Sequence, residues 1–207
     1  MGLTAESLAC RRGNHLLFNG LSFNLGSGDL LVLRGANGAG KTSLLRLLAG
    51  LSRPAAGRVL WNDAAITHDP EAYFRQLHYL GHLDGLKPAF TAHENLYYSA
   101  RLRGTAAALS ALDRFSIAPL ADTPIRLLSA GQRRRIALAR LLANPAPLWL
   151  LDEPSAALDH DGAQLLEQTL TDHCRNGGIA VIASHDSILH PLAKVLEIHS
   201  LQSVAAA

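Results

Sequence analysis

Gly35-Ala36-Asn37-Gly38-Ala39-Gly40-Lys41-Thr42 is the stretch on which the reading of this chain turns. It fits the pattern G-x-x-x-x-G-K-[ST], with the strand-like run Leu30-Leu31-Val32-Leu33 before it and the helix-like run Ser43 to Ala49 after it. Glycines at 35, 38 and 40 let the backbone turn tightly, so that successive N–H groups point inward at phosphate oxygens without Cβ atoms in the way. A helix beginning near Lys41 adds the positive end of its dipole. The pattern assigns Lys41 to the β- and γ-phosphates of a nucleotide and the Thr42 hydroxyl to Mg²⁺. A bare glycine-rich turn is usually only a turn, but eight fitted positions with both flanks present argue against that reading.

The 207 residues are enough for a sizeable core and suggest one domain with a lobe inserted in it. A composition 48% apolar and 17% charged argues against disorder. The formal net charge of +2 is too small to mark a nucleic-acid binder, and no nucleic-acid partner is expected. No apolar run approaches the roughly 18 to 20 residues that span a bilayer, and no basic segment with an apolar signal core opens the chain. A cytoplasmic location is the expectation. Cys10 and Cys174 belong to no C-x-x-C pair and read as free buried thiols.

Residues 3–9 and 16–25 read as strands joined by a turn at Gly13-Asn14, and residues 30–33 as a central strand fed by that antiparallel layer. Pro54 and Gly57 interrupt the chain after the first helix; Arg58 to Trp61 and Leu77 to Gly81 read as further strands. From Thr91 to about Arg140, apolar residues recur at helical spacing, as in Leu96, Ala100, Leu102, Leu109 and Leu112. Residues 84–145 are therefore expected to form a mostly helical lobe inserted into an α/β core of residues 1–83 and 146–207. Leu148 to Leu151, Ile179 to Ala183 and Val195 to Ile198 read as strands, with a helix from Asp159 to Cys174. Apolar strands alternating with helices imply a parallel sheet covered on both faces. The fold class expected is α/β, a P-loop NTPase.

Asp152 and Glu153 stand at the carboxyl end of the strand Leu148 to Leu151, where ligands of open α/β sheets bind. Asp152 is assigned to the Mg²⁺ shell through water, and Glu153 to polarising the water that attacks the γ-phosphate. Leu128-Ser129-Ala130-Gly131-Gln132, followed by Arg133-Arg134-Arg135-Ile136-Ala137-Leu138-Ala139-Arg140, resembles the signature of ABC ATPases, usually L-S-G-G-Q before a basic helix, with Ala130 in place of one glycine. Ser129 can cap a helix whose first N–H groups stay free for an anion. In that family the anion is the γ-phosphate of ATP held by another subunit's phosphate loop. The resemblance, which covers nearly the whole chain, thus implies a RecA-like core, ATP with Mg²⁺, and a head-to-tail homodimer. Ser129, Ala130, Gly131 and Gln132 of one copy would face the ATP held by Gly35 to Ser43 of the other. Arg133, Arg134 and Arg135 are read as a solvated helical face. Ser155 to Asp159 resembles the loop that contacts the partner subunit, and Ser184-His185-Asp186 the switch histidine, which gives His185 the γ-phosphate and the orientation of Glu153 with its water.

Two positions depart from the family. The N-terminal aromatic that stacks on adenine is missing around Cys10-Arg11-Arg12-Gly13, which leaves the Arg12 guanidinium for that role. His82, in Tyr79-Leu80-Gly81-His82, stands where a nucleotide-sensing glutamine is expected and is assigned to a metal-bound water. Within the family the chain resembles the ATP-binding subunits of the bacterial cytochrome c maturation system, the haem exporters. That resemblance implies a peripheral position on the cytoplasmic face of the inner membrane, membrane-spanning permease subunits as partners, and haem-handling membrane proteins nearby. Phe90, Leu86 and Tyr97 fit either a contact with those subunits or core packing. No C-x-x-C-H occurs to hold haem. The alternatives are an ABC exporter of lipid, lipoprotein or drug, which shares every motif, and a soluble ABC ATPase, which usually has two cassettes or a long coiled-coil insertion. A neutral imidazole at position 82 can bond water on Mg²⁺ and a protonated one opposes the ion, so activity is expected to fall on mild acidification. His82→Gln should flatten that fall when turnover is measured from pH 7.5 to 5.5, and an unaltered profile contradicts the assignment.

Overall fold

The first hairpin shows how the chain builds its edges. Strand β1 (Gly2–Arg12) turns at Gly13, where φ is 59°, and returns antiparallel as β2 (His15–Gly26), with Arg12 opposite His15. β4 (Ala56–Trp61) and β5 (Ala64–Ala65) complete a four-stranded sheet in the order β2-β1-β4-β5. A second, five-stranded parallel sheet holds β3 (Leu30–Arg34), β6 (Leu77–Leu80), β7 (Leu148–Asp152), β8 (Ile179–Ala183) and β9 (Ala193–Glu197), in the order β6-β7-β8-β3-β9. The computed structural model describes residues 1–104, 106, 109–184 and 193–199.

Strands β7 and β8 are buried at every position because both faces of the parallel sheet are covered, and side chains alternate between two cores. Leu31, Leu33, Leu148, Leu150, Ile179 and Val181 meet the antiparallel sheet and helix α1 (Lys41–Leu48) on one face. Leu30, Trp149, Leu151, Ala180 and Ile182 pack on the other face against the helical layer. That layer comprises α3 (Ala92–Leu102), α4 (Ala111–Arg114), α5 (Ala130–Ala143) and α6 (His160–Arg175). Its core is centred on Leu96, Phe115, Ile136 and Leu138, each inaccessible to solvent. Among the described residues, no helix is long and apolar enough to cross a membrane.

Two details differ from the sequence reading, and an alternative it left open is narrowed. Helix α2 (Pro70–Arg75) was not anticipated, although Asp69 caps it by accepting from the Ala72 N–H and Pro70 opens it. Leu102 is 88% exposed, because the buried stripe of α3 runs through Leu96 and Ala100 and ends there, and Leu109, in a turn before α4, is 42% exposed. Leu86 packs against the helical core and Phe90 stacks on Tyr98 with ring centroids 5.0 Å apart, whereas Tyr97 remains 47% exposed. Cys10 and Cys174 are free and buried, as expected.

His78 on β6 is buried and its Nε2–H donates to the carbonyl of Asn144 at the end of α5. Burial lowers its pKa to about 4. The unfolded chain, near 6.5, therefore binds more protons between these two values, and stability falls as pH drops from 6.5 to 4. The neutral His78 makes the protein lose up to about 3 kcal/mol over that window. His173, also lowered by burial, acts in the same direction. Urea denaturation at pH 7 and pH 4.5 should show a smaller stability difference for His78→Gln than for the unaltered chain; equal differences contradict the assignment.

Candidate active site

The carboxyl ends of β6, β7, β8 and β3 lie side by side, as the pairs Leu80–Leu151, Asp152–Ala183 and Leu33–Ala183 require. The segments that follow those strands consequently share one edge: Gly81-His82 after β6, Glu153 after β7, Ser184 after β8 and the Gly35 to Gly40 loop after β3. Between them is a cleft of about 480 Å³. Its walls include Asn37, Gly38, Gly40, Lys41, Thr42 and Ser43 from the loop and α1, with His82, Asp152 and Glu153 from the neighbouring strand ends. Arg12 and Leu17 approach from the β1–β2 hairpin, and Ala156 closes the far side. Gly35, Ala36 and Ala39 complete the loop, with Ala39 buried beneath it.

Backbone geometry explains the residue types in the loop. Gly35 has φ 141°, and a Cβ there would lie 2.4 Å from the Ile198 carbonyl oxygen. Gly40, at φ 110°, caps α1 and supplies no side chain to its first N–H groups. Lys41 Nζ donates to the carbonyls of Gly35 at 2.7 Å and Ala36 at 3.3 Å, spanning the loop from its base. Asp152 is buried at the end of β7, and Tyr79 beside it has its phenol pKa raised by burial first and by the Asp152 charge second. Glu153 is half-buried with φ 50°, a left-handed conformation fixed by its N–H to the Ala183 carbonyl at 2.9 Å.

The Leu128 to Gln132 motif lies elsewhere. Ser129 caps α5 through a reciprocal pair: the Gln132 N–H donates to its hydroxyl at 3.2 Å, and its own N–H donates to the Gln132 side chain at 2.9 Å. Ser129 and Ala130 are exposed. A separate cleft of about 400 Å³ is bordered by Ser129, Gly131, Gln132, Arg135, Ala157 and Asp159, and no residue of the phosphate loop borders it. Gly131 is required there, since a Cβ would lie 2.8 Å from the Ala157 carbonyl oxygen. The Ser155 to Asp159 segment passes between the clefts: Ala156 borders the first and Ala157 the second. A further cleft, of about 380 Å³, opens at the opposite end of the parallel strands beside Trp149 and His173, away from every phosphate-loop residue.

The three arginines after Gln132 correct the expectation of a solvated face. Arg133 donates to the Leu128 carbonyl at 2.5 Å, and Arg135 pairs with Asp159, holding that carboxyl below the usual carboxylate range. Arg134 is only 3% exposed and reaches the backbone around Asp152 and Glu153. The sequence carried a signal for this: Arg134 stands four and seven residues before Leu138 and Leu141, both buried. Leu17, Asp84 and Ala156 were likewise not anticipated near the site. His185 lies outside the described residues, while Ser184, just before it, is buried.

The family model for the ABC transporter matches residues 18–156. The chain belongs to the ABC transporter family. A cytochrome c biogenesis ATP-binding export protein, CcmA, of Paramagnetospirillum magneticum is 49% identical to this ABC chain over 201 residues, covering 94% of this chain and 93% of the relative. The protein of the same name from Rhodospirillum rubrum is 51% identical over 193 residues, covering 92% and 83%. A dimeric ATP-binding cassette in a post-hydrolysis state, bound to ADP and phosphate, shares the fold with TM-score 0.79 at 22% identity, covering 95% of this chain and 96% of that one. The chain is thus an ABC-type ATP-binding subunit and an ATPase.

If the two clefts are independent halves of an ABC site, their residues should separate in dilute, monomeric protein. Lys41→Ala is expected to weaken ATP binding at least about tenfold by fluorescence titration, the loss of a charge-assisted contact. Ser129→Ala should leave that affinity unchanged while costing about 1 kcal/mol in urea denaturation through the lost cap. Equal loss of ATP affinity in both variants contradicts the separation.

Proposed function

We propose that two copies of this chain clamp two ATP molecules head to tail and hydrolyse them to drive a membrane export complex. The observation that carries the reading is the separation of clefts within one copy: the phosphate loop borders one, and the Ser129 end of α5 borders the other. Ser129 and Ala130 stay exposed for a second copy, and the post-hydrolysis relative with the same fold is dimeric.

In this reading, loop N–H groups from Gly35 to Ser43 cradle the phosphates, Lys41 turns from its own carbonyls to the β- and γ-phosphates, and Arg12 lies against the base. The donor set at the cleft suits a hard cation, with the Thr42 hydroxyl and the Asp152 carboxylate as oxygen ligands and His82 reaching a bound water. A Mg²⁺ ion held by these residues would supply neutralisation of the phosphate charge. Among the described residues no three acidic, histidine or cysteine side chains cluster to hold a metal alone. Glu153 accepts the proton of the attacking water as it adds to the γ-phosphorus and ADP leaves. The partner's Ser129, Ala130, Gly131 and Gln132 close over the γ-phosphate, and His185 orients the water.

The partners proposed are membrane-spanning permease subunits and haem-handling membrane proteins of cytochrome c biogenesis, with this chain peripheral on the cytoplasmic face of the inner membrane. The near full-length identity to relatives named for that process supports this assignment. The unit proposed is a single ABC ATPase domain, residues 84–145 forming its helical lobe. Glu153→Gln should lower turnover at least about a hundredfold, as for loss of a general base, while ATP-bound dimer accumulates on gel filtration. Turnover within twofold of the unaltered protein removes Glu153 from the role.

A further inference from the structure

Arg134 is a buried cation whose five N–H donors all have acceptors, drawn from two separate segments of chain. Nε donates to the Pro154 carbonyl at 3.2 Å, and Nη2 to the carbonyls of Asp152 at 2.9 Å and Glu153 at 2.6 Å. Nη1 donates to the Gly81 carbonyl at 3.3 Å and to Asp84 Oδ1 at 3.0 Å. Three consecutive carbonyls thus converge on one guanidinium at the point where Glu153 takes its left-handed φ of 50°. The other two contacts bracket His82, which faces Glu153 across the same cleft.

A backbone that leaves a strand in the left-handed region needs its surroundings to hold it there. The Glu153 N–H has the Ala183 carbonyl, but its carbonyl side depends on Arg134 together with the Ala156 N–H. The charge on Arg134 can stay buried because Asp84 neutralises it and four carbonyls solvate it. A lysine, with donors at a single point, cannot reach both segments at once.

We propose that Arg134 is a positioning residue for ATP hydrolysis, setting Glu153 and the His82 loop relative to one another. This rests on the roles given above to Glu153 and His82. Its position on α5, five residues after Ser129, also ties both groups to the helix whose first turn borders the second cleft.

The test compares Arg134→Lys with the unaltered chain by steady-state ATPase kinetics and by amide hydrogen exchange without nucleotide. Small misplacements of reacting groups are costly, so kcat should fall at least about thirtyfold while the KM for ATP stays within about threefold. Exchange at residues 81–84 and 152–153 should quicken together, with residues 35–42 unchanged. Asp84→Asn, which keeps an acceptor oxygen and loses the charge, guards against misfolding and should give a smaller loss, about threefold in kcat, with faster exchange at 81–84. A kcat within twofold of the unaltered chain in Arg134→Lys overturns the proposal, as do a parallel fall of kcat and ATP affinity, or unchanged exchange in either segment. If the unaltered chain proves not to turn over ATP, the ATPase reading fails by itself, and the exchange data still decide whether Arg134 holds the two segments.

Discussion

The adjacency of four parallel strand ends is the constraint on which the rest of this structure depends. Because β6, β7, β8 and β3 pair in register, the phosphate loop, the buried Asp152, the strained Glu153 and His82 are delivered to one edge without a long-range search by the side chains themselves. The cost falls on the backbone, which must leave β7 at φ 50° and β3 through Gly35 at φ 141°. At the β7 exit, the Glu153 N–H donating to the Ala183 carbonyl and Arg134 donating to the Glu153 carbonyl hold the departure in place.

That same geometry keeps the two motif-bearing clefts apart within one copy. The Ser129 end of α5 cannot serve the phosphate loop of its own copy, because it borders a different cleft. The Ser155 to Asp159 segment lies between them, with Ala156 on one side and Ala157 on the other, and Arg135 pins Asp159 beside the second cleft. In the proposed head-to-tail dimer, a site divided in this way would make assembly and chemistry one event, as a subunit driving a membrane partner requires.

Much of this was legible in the sequence wherever the signal was local. Buried parallel strands announced themselves as apolar runs, as at Leu148 to Leu151 and Ile179 to Ala183, and the loop and Asp152-Glu153 followed from short patterns with a physical mechanism. What was not legible depended on tertiary surroundings. Leu102 has the composition of a core residue and lies past the end of the stripe that the core covers. Helical spacing to Leu138 and Leu141 places Arg134 on a buried stripe, but its five acceptors come from segments about 20 and 50 residues away in sequence, and periodicity cannot report those partners. The separation of the two clefts likewise emerges only once α5 is docked.

A thiol cross-linking measurement tests the central claim most directly, since Cys10 and Cys174 are buried and leave introduced thiols as the reactive ones. Copies carrying Asn37→Cys would be mixed with copies carrying Ala130→Cys, both at exposed positions and both in a Glu153→Gln background. The account predicts a disulfide-linked heterodimer joining position 37 of one copy to position 130 of the other, formed with ATP and absent without it. A cross-link joining two copies through position 37, or the same yield with and without ATP, would contradict it.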